Sequence, residues 1–435
     1  MKKFISLIIS LIFLLSVASF GANAYKPAYK LHSKATFLYN IDTDTVVFSQ
    51  NPDEKMYPAS LTKIMVALLY CEKFDNLKDK TFTVSKKVAE EYQYSEAVTG
   101  GFEEGDKING YDLLAYTMVK SCADASAVIA EEVSGSEPEF IDLMNKRAKE
   151  LGLNNTHFTN CHGLHDPNHY STARDLCTLT RAAMNISVIK DIVTVPRYET
   201  KNGITLAASN LLVDPSSGYY YKYATGFKTG YTDEAGRCLA STATYEGMTY
   251  ISILLGCPAV ENSLINRYEF LDTAELFRWV FTSFTYRSVL SPNETVDSVP
   301  VSYSWDSDTV NIRPKDEVFA LVPIGANKST FKIKTEYKVK NLEAPVKKGD
   351  ILGTVKVNYA GNVIGTCDAI AAESVEGSQV LKLLTIIKDF IKKNSIIFVP
   401  LALGILIAII ILIAITVRLN SKKSKYGKVK RYKRY

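Results

Sequence analysis

Apolar positions recur along this chain with three spacings, and each spacing predicts a different kind of element. Ile64, Met65, Leu68 and Leu69 fall three and four apart behind Pro58, which predicts a helix entered at that proline. Further helices are predicted over 111–120, 123–133 and 138–151, the last again with a proline at its entrance. Two short strand-prone runs, 35–40 and 45–48, flank the turn-prone Ile41-Asp42-Thr43-Asp44, a β-hairpin pattern. Residues 206–256 return to strands. Strands, then helices, then strands predict an α+β domain over 25–289, with helices packed on an antiparallel sheet. Residues 290–376 are rich in Val, Thr and Lys. Short alternating runs at 330–334 and 354–357 and turns such as Lys347-Lys348-Gly349-Asp350 predict a separate small β-sandwich.

Two stretches are apolar without any period. Residues 4–17 follow Lys2 and Lys3 and precede the small-residue stretch Ala22-Asn23-Ala24, so 1–24 is expected to be a cleaved signal peptide. Residues 396–417 carry no charge and are long enough to span a bilayer. Arg418, Lys422, Lys423, Lys425, Lys428, Lys430, Arg431, Lys433 and Arg434 follow within the tail, residues 418–435. Positive residues stay on the cytoplasmic side, so the body of the protein is expected outside the membrane and the tail inside. Just before the span, in 377–395, Val380, Leu383, Leu384, Ile387 and Ile391 share one helical face, while Lys382, Thr385, Lys388 and Lys392 share another. Such a segment is expected to lie in the interface plane. Export excludes ATP-driven and nucleic-acid chemistry, and beside a membrane span the basic tail reads as a topology signal.

Composition adds little to this. The chain has 435 residues, 47% of them apolar, enough for two or three domains with a sizeable core. The formal charge of +5 is concentrated at the C-terminus. Seven scattered cysteines without a CxxC pair argue against a disulfide framework or a zinc site, and they read as small buried hydrophobes.

The candidate chemistry begins at Tyr57-Pro58-Ala59-Ser60-Leu61-Thr62-Lys63-Ile64-Met65. Residues i and i+3 share a helical face, so Ser60 and Lys63 meet without any long-range assembly. A serine hydroxyl becomes nucleophilic when a nearby base takes its proton, and a lysine of lowered pKa can do so. The spacing alone is weak, since Ser187-Lys190 and Ser329-Lys332 repeat it; those copies lack the Pro-Ala entrance and read as surface. Ser60 by itself is also compatible with a helix N-cap. Downstream lie Ser121-Cys122-Ala123-Asp124 at a helix start, and Lys228-Thr229-Gly230 followed by Tyr231. A lysine, a hydroxyl and a glycine on an edge strand suit a carboxylate: charge, hydrogen bond and close backbone approach.

In this order, Ser60-x-x-Lys63, Ser121 and Lys228-Thr229-Gly230 resemble the motif set of penicillin-binding proteins and serine β-lactamases. The surrounding stretches, among them His162-Gly163-Leu164 and 226–237, are similar to those of the low-molecular-mass D-alanyl-D-alanine carboxypeptidases, and the match covers about 34–283. The resemblance implies a β-lactamase/transpeptidase-like domain followed by the β-sandwich and the transmembrane helix. It implies a membrane-anchored, extracytoplasmic serine D-Ala-D-Ala carboxypeptidase acting on peptidoglycan stem peptides, with β-lactams as covalent inhibitors and no metal or organic cofactor. Ser60 would attack the carbonyl between two terminal D-alanines, Lys63 would be the base, and Ser121 would relay the proton to the leaving amine. Lys228 and Thr229 would hold the terminal carboxylate beside Gly230. The backbone N–H groups of Ser60 and Tyr231 would form the oxyanion hole.

One position departs from that family. Its second motif reads Ser-x-Asn, and here the third residue is Ala123. Loss of one polar contact in a closed site costs on the order of 1–3 kcal/mol, which predicts slow turnover or a homologue that binds stem peptides or β-lactams without turnover. Asp124 lies about 100° further round a helix and is not expected to substitute. His162, His165 and His169 have ligand-like spacing, but Pro167 interrupts any helix that could align them, and a loop edging the cleft is the expected reading. Cys122 is read as a small core-facing side chain rather than a reactive thiol.

Overall fold

The computed structural model describes residues 27–259, 266–338 and 341–427, together with the two-residue strand Ala18–Ser19, which pairs in parallel with Thr45 and Val46. The expected signal peptide and the last residues of the basic tail lie outside the described residues. The described chain divides into two compact units.

The first unit is built on five antiparallel strands: β1 (Ala35–Asn40), β2 (Thr45–Gln50), β3 (Ala224–Thr232), β4 (Gly236–Tyr245) and β5 (Met248–Cys257). Their order across the sheet is β2-β1-β5-β4-β3, so β3 is an edge strand. The predicted hairpin is β1–β2, in register from Thr36↔Gln50 to Asn40↔Thr45 with one bulge. One face carries the large core of α1 (Lys63–Lys73), α2 (Ala123–Ser134), α3 (Glu137–Glu150) and α4 (Ala173–Met184). The other face packs on α5 (Tyr268–Ser283) through Leu276, Phe277, Val280 and Phe270. This is the expected transpeptidase-like α+β arrangement.

Helix α1 is buried all round over its first two turns. All residues from Lys63 to Tyr70 are buried. A helix that is apolar on every side belongs in the middle of a core, and each of Ile64, Met65, Leu68 and Leu69 contributes roughly 1.5–3 kcal/mol there. Ser60 therefore stands just before a helix whose first eight residues are all buried. Local signals fix the starts of α3 and α4. Ser136 caps α3 by accepting from the Glu139 N–H, with Pro138 in its first turn, and Thr172 caps α4 from the Asp175 N–H.

In the second unit, Asp297–Ser302 runs antiparallel to Thr309–Pro314 and parallel to Leu342–Glu343, and Thr309–Pro314 pairs in turn with Ala369, Ile370 and Ala371. This is part of the expected β-sandwich. Beyond it stand an exposed amphipathic helix, Gln379–Lys393, and a helix Ser395–Gly427. Residues Ser395–Asn420 of the latter are long and apolar enough to cross a membrane. All seven cysteines are unpaired, and five are buried.

Candidate active site

Pro58 opens a 3₁₀ turn, Ala59–Thr62, that runs directly into α1 at Lys63. Side chains three apart eclipse in a 3₁₀ turn. Lys63 Nζ consequently sits 3.1 Å from Ser60 Oγ, and it also donates to the His162 carbonyl at 2.6 Å. Ser60 is half-buried and does not cap the helix. The other two Ser-x-x-Lys pairs are exposed at both residues.

The turn is strained and wedged in place. Ala59 has φ +48°, a left-handed conformation costly for a residue with a Cβ. Gly163, at φ +82°, lies so close that a Cβ there would fall 2.1 Å from the Ala59 carbonyl oxygen. A Cβ on Gly230 would meet Ser60 N at 3.0 Å, so the edge strand approaches the backbone of Ser60 itself. His169 buttresses the turn. Its Nδ1 accepts from the Thr159 N–H, which leaves Nε2–H to donate to Thr62 Oγ1 at 2.7 Å, and Thr62 donates to the Ala59 carbonyl.

Ser121 ends a single π-helical turn, Tyr116–Lys120, and has φ +73° before α2 begins. A π turn followed by a left-handed serine presents that hydroxyl to the cleft. Thr229 Oγ1 donates to Ser209 Oγ at 2.7 Å, and the Ser209 N–H donates to the Val119 carbonyl, which ties β3 to the segment carrying Ser121. Ser209 sits outside every motif. Ser60, Lys63, Ser121, Ala123, Thr229, Gly230 and Tyr231 line one open cleft of about 790 Å³. Lys228 is fully buried, and its Nζ donates to the Thr229 carbonyl at 2.9 Å.

Burial sets the electrostatics. It lowers the Lys63 amine to about 8. Burial and the like charge of Lys63 push Lys228 well below the ordinary lysine range. Burial raises the Cys122 thiol to about 12, so it is no ready thiolate. Asp124 is occupied elsewhere: its carboxylate accepts from the N–H groups of Gly100, Gly101 and Ala125 at 2.7–3.1 Å. It thus holds the loop that brings Ala97 and Val98 to the cleft edge. Ala123 is buried at that edge, and its methyl group makes no hydrogen bond. The three histidines take separate partners. His162 Nδ1 accepts from the Leu164 N–H, His165 Nδ1 lies 3.9 Å from Glu234, and His169 serves the Ser60 turn. His162 and His165 do edge the cleft.

Comparison with known proteins gives a consistent picture. Residues 21–259 match the family model described as D-alanyl-D-alanine carboxypeptidase, and residues 284–377 match the C-terminal domain of penicillin-binding protein 5. The chain is 31% identical to D-alanyl-D-alanine carboxypeptidase DacF of Bacillus subtilis over 86% of its own length and 95% of that protein. It is also 31% identical to DacC of Escherichia coli, covering 84% and 90% of the two chains. Among solved structures, penicillin-binding protein 5 of Haemophilus influenzae superposes with a TM-score of 0.62 at 26% identity, covering 81% of this chain and all of that one.

Proposed function

The chain belongs to the D-alanyl-D-alanine carboxypeptidase family of serine peptidases, and from that premise we propose that it removes the terminal D-alanine of peptidoglycan stem pentapeptides through an acyl-enzyme on Ser60. The observation that carries this is the 3.1 Å approach of Ser60 Oγ to a fully buried Lys63 amine. A neutral Lys63 donates one proton to the His162 carbonyl and has its lone pair free for the Ser60 hydroxyl. Ser60 Oγ then bonds to the carbonyl carbon while its proton passes to Lys63. The Ser60 and Tyr231 N–H groups receive the oxyanion, at roughly 3 kcal/mol per donor. Ser121 delivers the proton to the departing D-alanine amine as the C–N bond breaks. Water attacks the ester, with Lys63 again as base, and frees Ser60. Lys228, Thr229 and Gly230 form the side of the site that takes the substrate's C-terminal end. β-Lactams would acylate the same serine.

Ala123 sets the rate in this reading. A fluorescent penicillin reports acylation of Ser60, and release of D-alanine from a pentapeptide reports turnover. Ala123→Asn is expected to raise release by roughly tenfold to a hundredfold, the worth of one polar contact in a closed site. An unchanged rate would show that the missing amide is not what limits turnover. Acylation of the wild type without any release would favour a protein that captures such ligands without processing them.

The C-terminal helix anchors the protein, with the catalytic body outside and the basic tail on the cytoplasmic side. Protease added to intact protoplasts is expected to digest the body and spare the tail. A protected body would reverse the orientation.

A further inference from the structure

The loop that brings the His162 carbonyl to Lys63 is tied down by side chains that no motif names. Helix α3 holds it from below. Asn145 Nδ2 donates to the Phe158 carbonyl at 2.8 Å, and its Oδ1 accepts from the Phe158 N–H at 2.9 Å. Glu137 Oε1 accepts from the Cys161 N–H at 3.1 Å. Asn160, half-buried in the loop itself, acts closer to the site. Its Oδ1 accepts from the Gly163 N–H at 2.6 Å, and its Nδ2 donates to the Leu164 carbonyl at 3.1 Å, which fixes the orientation of the amide.

The His162 carbonyl and the Gly163 N–H belong to one planar peptide. A continuous run of hydrogen bonds therefore leads from Asn160 Oδ1 through that peptide to Lys63 Nζ and on to Ser60 Oγ. Bonds linked in this way polarise one another. The peptide needs holding, because a glycine takes φ of either sign at little cost, and Gly163 sits at +82°. Rotation about His162 ψ and Gly163 φ would turn an N–H toward the Lys63 amine in place of the carbonyl. Among the described residues Lys63 Nζ has two hydrogen-bond partners, the His162 carbonyl and Ser60 Oγ. Ala123 offers it none, so loss of the carbonyl would leave the amine without a second point of orientation.

We infer that Asn160 is a positioning residue for acyl transfer: it holds the His162–Gly163 peptide with its carbonyl on Lys63, and so turns the Lys63 lone pair to the Ser60 hydroxyl. This rests on the proposed acyl transfer at Ser60. Asn160 is not among the residues lining the cleft, and it acts through a backbone group. The titratable groups around Lys63 are Cys161, Cys122, Asp124, Lys228, His162 and His169. All of them are kept in the variants below, so what changes is the carbonyl. An oxygen acceptor stabilises an ammonium more than a neutral amine, and its loss favours the neutral form. A carboxylate at position 160 works in the opposite direction, since it favours the ammonium.

The test compares the full chain in detergent with Asn160→Ala, Asn160→Asp and Asn145→Ala. Stopped-flow acylation by a penicillin ester is followed across the alkaline rise, and thermal denaturation checks folding. Asn160→Ala should lower the plateau rate roughly tenfold to a hundredfold, the effect of a misplaced catalytic group, and move the midpoint of the rise to lower pH. Asn160→Asp keeps the acceptor. It should retain most of the plateau and move the midpoint to higher pH. Asn145→Ala loosens the same loop without touching the 162–163 peptide, so it should lower Tm and leave the pH midpoint in place. A wild-type plateau in Asn160→Ala, a midpoint that stays or rises in that variant, or the same shift in Asn145→Ala overturns the inference. Should Asn160→Ala not fold, Asn160→Asp decides, and a midpoint that fails to rise there overturns it. A wild type that no penicillin acylates removes the reading of Ser60 itself, a result distinct from all of these.

Discussion

Acylation of a Lys63→Arg variant should be slower by roughly 10²–10⁴-fold, the usual worth of a positioned general base. Arginine keeps a cation beside Ser60 and differs in one decisive respect: it does not deprotonate in proteins. The wild-type amine, held at about 8 by burial, is mostly protonated at neutral pH and mostly neutral by pH 9. Wild-type acylation should therefore rise about tenfold between pH 7 and pH 9 and then level off. The arginine variant should show no such rise. Stopped-flow acylation by a penicillin ester, which carries no titrating carboxylate, measures both quantities, and thermal denaturation checks that the variant folds. A variant that acylates at the wild-type rate, or that keeps the alkaline rise, would remove Lys63 from the role of base.

The second large effect is expected from a glycine that carries no chemistry. Gly163→Ala would put a methyl carbon 2.1 Å from the Ala59 carbonyl oxygen, at a backbone φ of +82° that L-residues resist. That conformation costs of order 1–3 kcal/mol. No side-chain rotation can relieve the clash, because the atoms it meets are backbone. The turn bearing Ser60 has to shift, and so does the neighbouring His162 carbonyl that orients Lys63. A displacement of about 1 Å in such a constellation costs on the order of 10²-fold in rate. Acylation should fall by about that factor while the circular dichroism spectrum is unchanged. Gly152→Ala is the control: its φ is +76°, but a Cβ there meets nothing within 4 Å. It should acylate normally. Equal losses in the two variants would mean that backbone strain alone, and not contact with the Ser60 turn, causes the effect.

Much of this molecule was legible in the chain because the determining interactions are local. Pro58 and the helical spacing behind it marked the entrance of α1, and the hairpin over 35–48 was written in its strand-prone runs and turn residues. Pro138 marked the entrance of α3 in the same way. The offset of Asp124 from the motif face also followed from helix geometry, and the structure gives that carboxylate to Gly100 and Gly101. Other features had no sequence signal. Lys63 is oriented by a backbone carbonyl, which every residue possesses. Ser209 reaches Thr229 from a loop 20 residues away in sequence. Arg237 and Glu269 both line the cleft, from a strand and a helix that only the folded sheet brings together.

By itself, the order of residues determined which side chains are candidates for chemistry and which segments would be strand, helix or long apolar helix, because periods of two, three or four residues and an uncharged run act over short distances. Tertiary structure alone decided how far each lysine is withdrawn from water, which carbonyl orients Lys63, and which cations face the cleft. Those properties depend on what packs around a group from distant parts of the chain, and burial is a sum over neighbours that no local pattern contains.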